Sequence, residues 1–153
     1  MKFSTREDIE APIEHVYERV TDFAGFERQA LRRGGDVRRL DAGQEPQVGS
    51  KWDISFQFRG KDRKMTADLV KLDRPTALQI DTTASGIDGE TKVELVALSR
   101  SRTRLSVTMD LKPKSLAAKL LMQSLKLAKS SLSRKFKLRV AEFAEETERK
   151  HQA

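Results

Sequence analysis

The sequence contains no cysteine, and that absence alone removes several kinds of protein. A disulfide-stapled scaffold, a thiolate-ligated zinc or iron–sulfur site and a cysteine nucleophile all require what is missing. Histidine is scarce too, with His15 and His151 the only two in 153 residues. A metal site would have to be built from carboxylates alone, and no Asp/Glu set has ligand spacing. Neither a metal nor a cofactor is therefore expected. No Gly-rich phosphate loop is present, because Gly86-Ile87-Asp88-Gly89 reads as a hairpin turn. No run of about 18 apolar residues exists to cross a bilayer. The stretch Met1 to Asp8 turns polar and acidic without the apolar core of an export signal. The expected location is cytoplasmic, and the length fits one domain spanning 1–153.

What is abundant is charge, and it is unevenly placed. Thirty Lys+Arg against 23 Asp+Glu leave +7. Residues 112–139 hold nine bases and no acid, so this one stretch carries more than the whole excess. The remainder of the chain is net −2. A local excess of this kind points to an anionic partner without naming it.

Hydrophobic periodicity supplies the elements. Phe3, Thr5, Glu7, Ile9 and Ala11 alternate with polar residues, as in a half-buried strand ended by Pro12. Ile13, Val16, Tyr17 and Val20 recur at helical spacing, and Thr21-Asp22 can cap a second helix running to about Arg33. From Val37 onward short alternating runs separated by Gly, Asp and Pro turns predict an antiparallel meander. Its apolar face needs a cover. Ala117, Leu121, Leu125, Ala128, Leu132, Phe136, Val140 and Phe143 supply one, as the stripe of a long helix over about 113–148. Unbroken, that helix would be about 54 Å long, against a domain diameter of roughly 40 Å. A soft point is expected at Lys129-Ser130-Ser131-Leu132-Ser133, where serines compete for backbone hydrogen bonds.

Three local features carry a family resemblance: Ile9-Glu10-Ala11-Pro12-Ile13-Glu14-His15-Val16-Tyr17 with Thr21-Asp22-Phe23, then Val48-Gly49-Ser50-Lys51-Trp52, then Val70-Lys71-Leu72-Asp73-Arg74-Pro75. With them the chain resembles the START-like (SRPBCC) superfamily, in particular its polyketide cyclase/dehydrase and lipid-transport branch. The resemblance implies an α+β helix-grip fold, in which a curved antiparallel sheet of six to seven strands wraps a long C-terminal helix. It also implies a cavity between the two that takes a small hydrophobic, lipid-like or polycyclic, ligand. On this sequence the expected lining is Trp52, Ile54, Phe56, Phe58, Met65, Ile80, Val107 and Met109, with Thr82 as a polar orienter. Leu121 and Leu125 are expected to face them from the helix, and Phe26 to sit at the mouth. The same residues also suit an ordinary packed core.

Catalytic equipment is thin. His15 lies about 160–200° from Ile13 and Tyr17 on its helix and is expected to point to solvent, and His151 sits near a chain end that frays. Neither suits a general base. Glu7 is the one carboxylate on an apolar strand face, and so the one candidate acid or base for a cyclase/dehydrase-like enzyme. Binding is favoured over catalysis. On the basic helix, Lys119, Lys126 and Lys137 flank a second apolar strip of Leu116, Leu120, Leu127 and Leu138, about 130° from the first. That surface suits an anionic membrane or a second copy in a homodimer. An alternative that the resemblance allows is an interaction module docking on a membrane, the ribosome or another protein through this helix. Nucleic acid is disfavoured, since Phe136 is the only aromatic available for stacking in the basic stretch.

Overall fold

The computed structural model describes residues 1–41 and 43–153. The strands are β1 (Lys2–Ile9), β2 (Asp36–Arg39), β3 (Lys51–Phe58), β4 (Lys61–Asp73), β5 (Ala77–Ala84), β6 (Ile87–Ser99) and β7 (Arg102–Pro113). Two short helices, α1 (Ile13–Val20) and α2 (Phe23–Arg32), follow β1, and α3 (Leu116–Leu127) and α4 (Lys129–Gln152) close the chain. The strands form one antiparallel sheet in the order β1-β7-β6-β5-β4-β3-β2, so β1 crosses to the far edge and pairs with β7. Register then sets a single inward face. Phe3 lies opposite Met109, Thr91 opposite Met109 and Ile80, and Ile80 opposite Leu69. This is the α+β helix-grip architecture expected from the sequence, with α4 lying along β1 and the two short helices covering the sheet beside it.

The three resemblance motifs prove to be joints. At the first, Ala11 is fully buried and its carbonyl accepts the Thr103 hydroxyl at 2.8 Å, tying the strand-to-helix turn to β7. At the second, Gly49 takes a positive φ of 99° that an L side chain would resist. That conformation lets the Gly49 and Leu69 amides bond to the carbonyls of Leu69 and Ser50, each at 2.9 Å. At the third, Val70 is the extra residue of a β-bulge, which keeps both Leu69 and Leu72 on the inward face. Arg74 then reaches α1, pairing with Glu14 at 2.9 Å and lying over the Tyr17 ring.

Buried Ser50 also donates to Asp41 at 2.8 Å, and Arg39 donates to the same carboxylate at 2.8 and 3.2 Å. Hydrogen bonds from Arg39, then Ser50, lower the Asp41 pKa from 3.8 to about 2. A depressed carboxylate adds stability above its unfolded pKa and loses it as pH falls through the folded one. The stability gap between wild type and Asp41→Asn is therefore expected to be full at neutral pH and to close between about pH 4 and about pH 2. Denaturant unfolding of both proteins across that range checks this. A gap independent of pH would show that the pair contributes nothing.

Four expectations are corrected. The β5–β6 turn is not Gly86 to Gly89 but Ser85-Gly86, both at positive φ (51° and 75°), as a type I′ two-residue hairpin requires. Gly89 lies within β6 opposite Thr82, whose hydroxyl occupies the space that a Cβ there would need. Pro113 ends β7 rather than opening a helix, and Ser115 caps α3 by accepting from the Ala118 amide at 3.0 Å. The long helix breaks at Ala128 (φ −102°, ψ 11°), one residue before the expected soft segment, giving α3 and α4. The buried side of α3 is Ala118, Met122 and Leu125, while Ala117 is exposed. The helix is thus rotated by about one residue from its expected setting.

His15 is also not free in solvent. The C-terminal part of α4 covers α1, so His15 is half-buried and its Nε2–H donates to the Thr147 carbonyl at 3.0 Å. His151, still helical, places its ring 5.0 Å from that of His15.

Candidate functional site

A cavity of about 760 Å³ lies between α2, α4 and the central strands β5, β6 and β7. Its floor is the inward face of the sheet: Leu78 and Ile80 of β5, Thr91 and Val93 of β6, Leu105 and Val107 of β7. Val93 and Val107 are a directly opposed cross-strand pair at the middle of that floor. The α4 wall is Phe136, Val140 and Phe143, spaced 4 and 3 residues apart and therefore on one helix face. The α2 wall is Phe23, Phe26 and Ala30, and the Phe26 ring stands 5.9 Å from that of Phe143. Exposed Arg32, Arg33, Arg139 and Glu142 edge the opening, and Thr91 is the one polar side chain of the floor.

The opening is braced from the α1 side. Arg19 is mostly buried, 3.6 Å from Asp22 and 3.5 Å from Glu146, with its guanidinium over the Phe143 ring at 5.4 Å. The contacts hold α4 against α1 and the start of α2, beside the place where Phe26 and Phe143 meet. On the other side, Phe3 of β1 lies 6.0 Å from Phe136 and closes the space between α4 and the sheet edge. A 760 Å³ space with aromatic and aliphatic walls has the size and chemistry of a small-molecule site.

Of the residues expected to contact ligand, Phe26, Ile80 and Val107 line this cavity. Trp52, Ile54, Phe56, Phe58, Met65, Thr82 and Met109 share the inward face by register but lie outside it. Helix α2 is the reason for Trp52: Phe23 packs on its ring at 5.3 Å and Glu27 accepts its indole N–H at 2.7 Å, so Trp52 belongs to a second core with Ala67 and Leu69. Ile54 packs on the same core. Phe56, Phe58 and Met65 belong to the distal β3–β4 hairpin, whose Arg59 bonds to Ser124 of α3. Thr82 is spent against Gly89. Leu121 and Leu125 are on α3, and the break at Ala128 separates α3 from the helix that forms the wall.

Glu7 does face inward, opposite Leu105, yet it lies on β1 beneath α4 and does not line the cavity. The lining residues missed from sequence include Leu78, Thr91, Val93 and Leu105 on the floor, Phe23 and Ala30 of α2, and Phe136, Val140 and Phe143 on the α4 wall. The three on α4 were readable as an inward stripe. Which half of the stripe met open space was not.

The fold defines a class: α+β helix-grip proteins, here with a largely apolar cavity between the curved sheet and the C-terminal helix. Residues 1–148 match the family described as polyketide cyclase / dehydrase and lipid transport, and the chain belongs to that family. No curated protein sequence matches it significantly. Among solved structures it is similar to the Zhui aromatase/cyclase of Streptomyces sp. R1128, with a TM-score of 0.69 at 17% identity over 97% of this chain and 94% of that one. A norcoclaurine synthase point mutant of Thalictrum flavum, in complex with a transition-state analogue, gives 0.66 at 10% identity over 100% and 96%. A protein of Thermus thermophilus gives 0.67 at 15% identity over 96% and 97%. At these identities the likeness is one of fold. No helix among the described residues is long and apolar enough to cross a membrane.

Proposed function

We propose that the protein binds and carries a small, largely apolar molecule, lipid-like or polycyclic, in the cavity between α2, α4 and strands β5 to β7. The observation that carries this reading is the polarity of the lining. Five of the six floor residues are apolar, as are Phe136, Val140 and Phe143 of α4; of the charged lining groups, Arg32, Arg33, Arg139 and Glu142 are exposed, and half-buried Glu146 is paired with Arg19. A catalyst for cyclisation or dehydration needs several acid, base or oxyanion-stabilising groups converging inside the site. Here the floor offers a single hydroxyl, on Thr91. Glu7, the one carboxylate suggested for such a role, lies outside the cavity.

The test is occupancy. Protein purified from cells is expected to retain a bound hydrophobic molecule in native mass spectrometry, and to take up a fluorescent fatty acid that apolar competitors displace. Absence of both would overturn the reading. Turnover of a polyketide-type substrate that disappears in Glu7→Gln would overturn it in favour of the enzyme.

A further inference from the structure

We propose that the outer face of α3 is a membrane-docking surface, taking anionic lipid headgroups on its lysines and the upper acyl region on its leucines. This rests on α3 and the adjoining start of α4, and would stand whether or not the cavity carries a ligand.

The structure sharpens what the sequence suggested about this helix. Ala118, Met122 and Leu125 are its buried side. Leu116, Leu120 and Leu127 fall within about 40° of one another on the opposite side, about 180° from the buried one, at 100° per residue. They are 76%, 60% and 91% exposed. Nothing among the described residues covers them, so their exposure is not incidental to core formation. Beyond the break, Leu138 of α4 is also 58% exposed.

The charge around these leucines selects the partner. Lys112 and Lys114 are each 4.0 Å from a carboxylate, on Asp110 and Asp88. Lys119, Lys126, Lys129, Arg134, Lys135, Lys137 and Arg139 have no carboxylate within 4.0 Å among the described residues, and no acid occurs anywhere in 112–139. A second copy meeting this face with its own would bring two such clusters together without a compensating carboxylate, which disfavours a dimer. Nucleic acid would use the bases but leave three leucines with no aromatic neighbour for stacking. An anionic bilayer satisfies both halves, because apolar side chains enter the headgroup–acyl boundary while lysines remain at the phosphates.

Sedimentation with phosphatidylcholine vesicles, with and without phosphatidylglycerol, tests this on the full chain. Wild type is expected to pellet with the phosphatidylglycerol vesicles at low salt and to be released as salt rises. Two double variants, Leu120→Ser with Leu127→Ser and Lys119→Gln with Lys126→Gln, are each expected to weaken that binding at least about tenfold. The substituted side chains are exposed, so melting temperatures should match wild type and separate lost docking from lost folding. Failure of wild type to pellet, or wild-type binding by both variants, overturns the proposal. So does a solution dimer that the leucine variant dissolves, since the face would then belong to a second copy.

Discussion

Replacing Val93 and Val107 together by phenylalanine is expected to abolish uptake of a fluorescent fatty acid while leaving the protein folded. These two side chains are a cross-strand pair in the middle of the cavity floor, so both added rings project into the same space. In a tightly packed core such enlargement would force side chains off their rotamers and cost about 1–3 kcal/mol. Here the rings enter an existing void of about 760 Å³ and bury apolar surface that was facing it. The melting temperature should therefore stay within a few degrees of wild type or rise. Ligand affinity should fall by roughly a hundredfold or more, equivalent to about 2.7 kcal/mol, since the space the ligand would fill is gone. Displacement titrations and thermal unfolding on the same preparation read both quantities. Unchanged uptake by a folded variant would place the ligand elsewhere, with the inward residues Phe56, Phe58 and Met65 the next place to search. The same variant should still pellet with anionic vesicles, which separates the cavity from the α3 face.

Trp52→Ala is expected to be the most destabilising single substitution, at about 3–5 kcal/mol. Trp52 is 5% exposed, sits against Phe23 and is the donor to Glu27. Its removal opens a void beneath α2 and leaves the Glu27 carboxylate without the indole N–H. For a chain of this size each kcal/mol lowers the melting temperature by about 2–4 °C, so a fall of roughly 6–20 °C should be seen in calorimetry. Trp52→Phe keeps much of the apolar contact and loses the hydrogen bond, so its fall should be clearly smaller. Equal losses for the two variants would assign the whole effect to the Glu27 bond rather than to the contact with Phe23. Because Phe23, Phe26 and Ala30 form one wall of the cavity, the alanine variant should also bind ligand more weakly below its melting temperature.

The two variants bear on neighbouring parts of one surface that look alike in the sequence. Trp52, Ile54, Ile80 and Val107 are all inward residues of alternating strands. Alternation is a local property, fixed by the two-residue period of a strand, and it was legible without any knowledge of pairing. It does not say what stands over each residue. Trp52 is covered by Phe23, whereas Val107 borders the cavity. That difference depends on where Asp22 starts α2, on its side chain accepting from the Gly25 amide at 3.1 Å, and on where the helix then crosses the sheet.

The lack of cysteine depends on no coordinates. The scarcity of histidine also stands, but the two that exist meet at the α1–α4 contact, although 136 positions separate them in the chain. A helical-wheel angle measured against α1's own apolar face could not foresee that, because α4 covers a second side of the same short helix.

The sequence by itself determined the strand alternation, the order of the elements, and the basic stretch with its leucines. Each is written in local periodicity, turn chemistry or composition. Only the tertiary structure decided which part of the inward face stays open, and that α4 rather than α3 forms its wall. The divide falls at Ala128, where the backbone leaves the helix without a proline or glycine to announce it. Two helices separated there can cover different parts of the curved sheet, one part filled and the other left as a cavity.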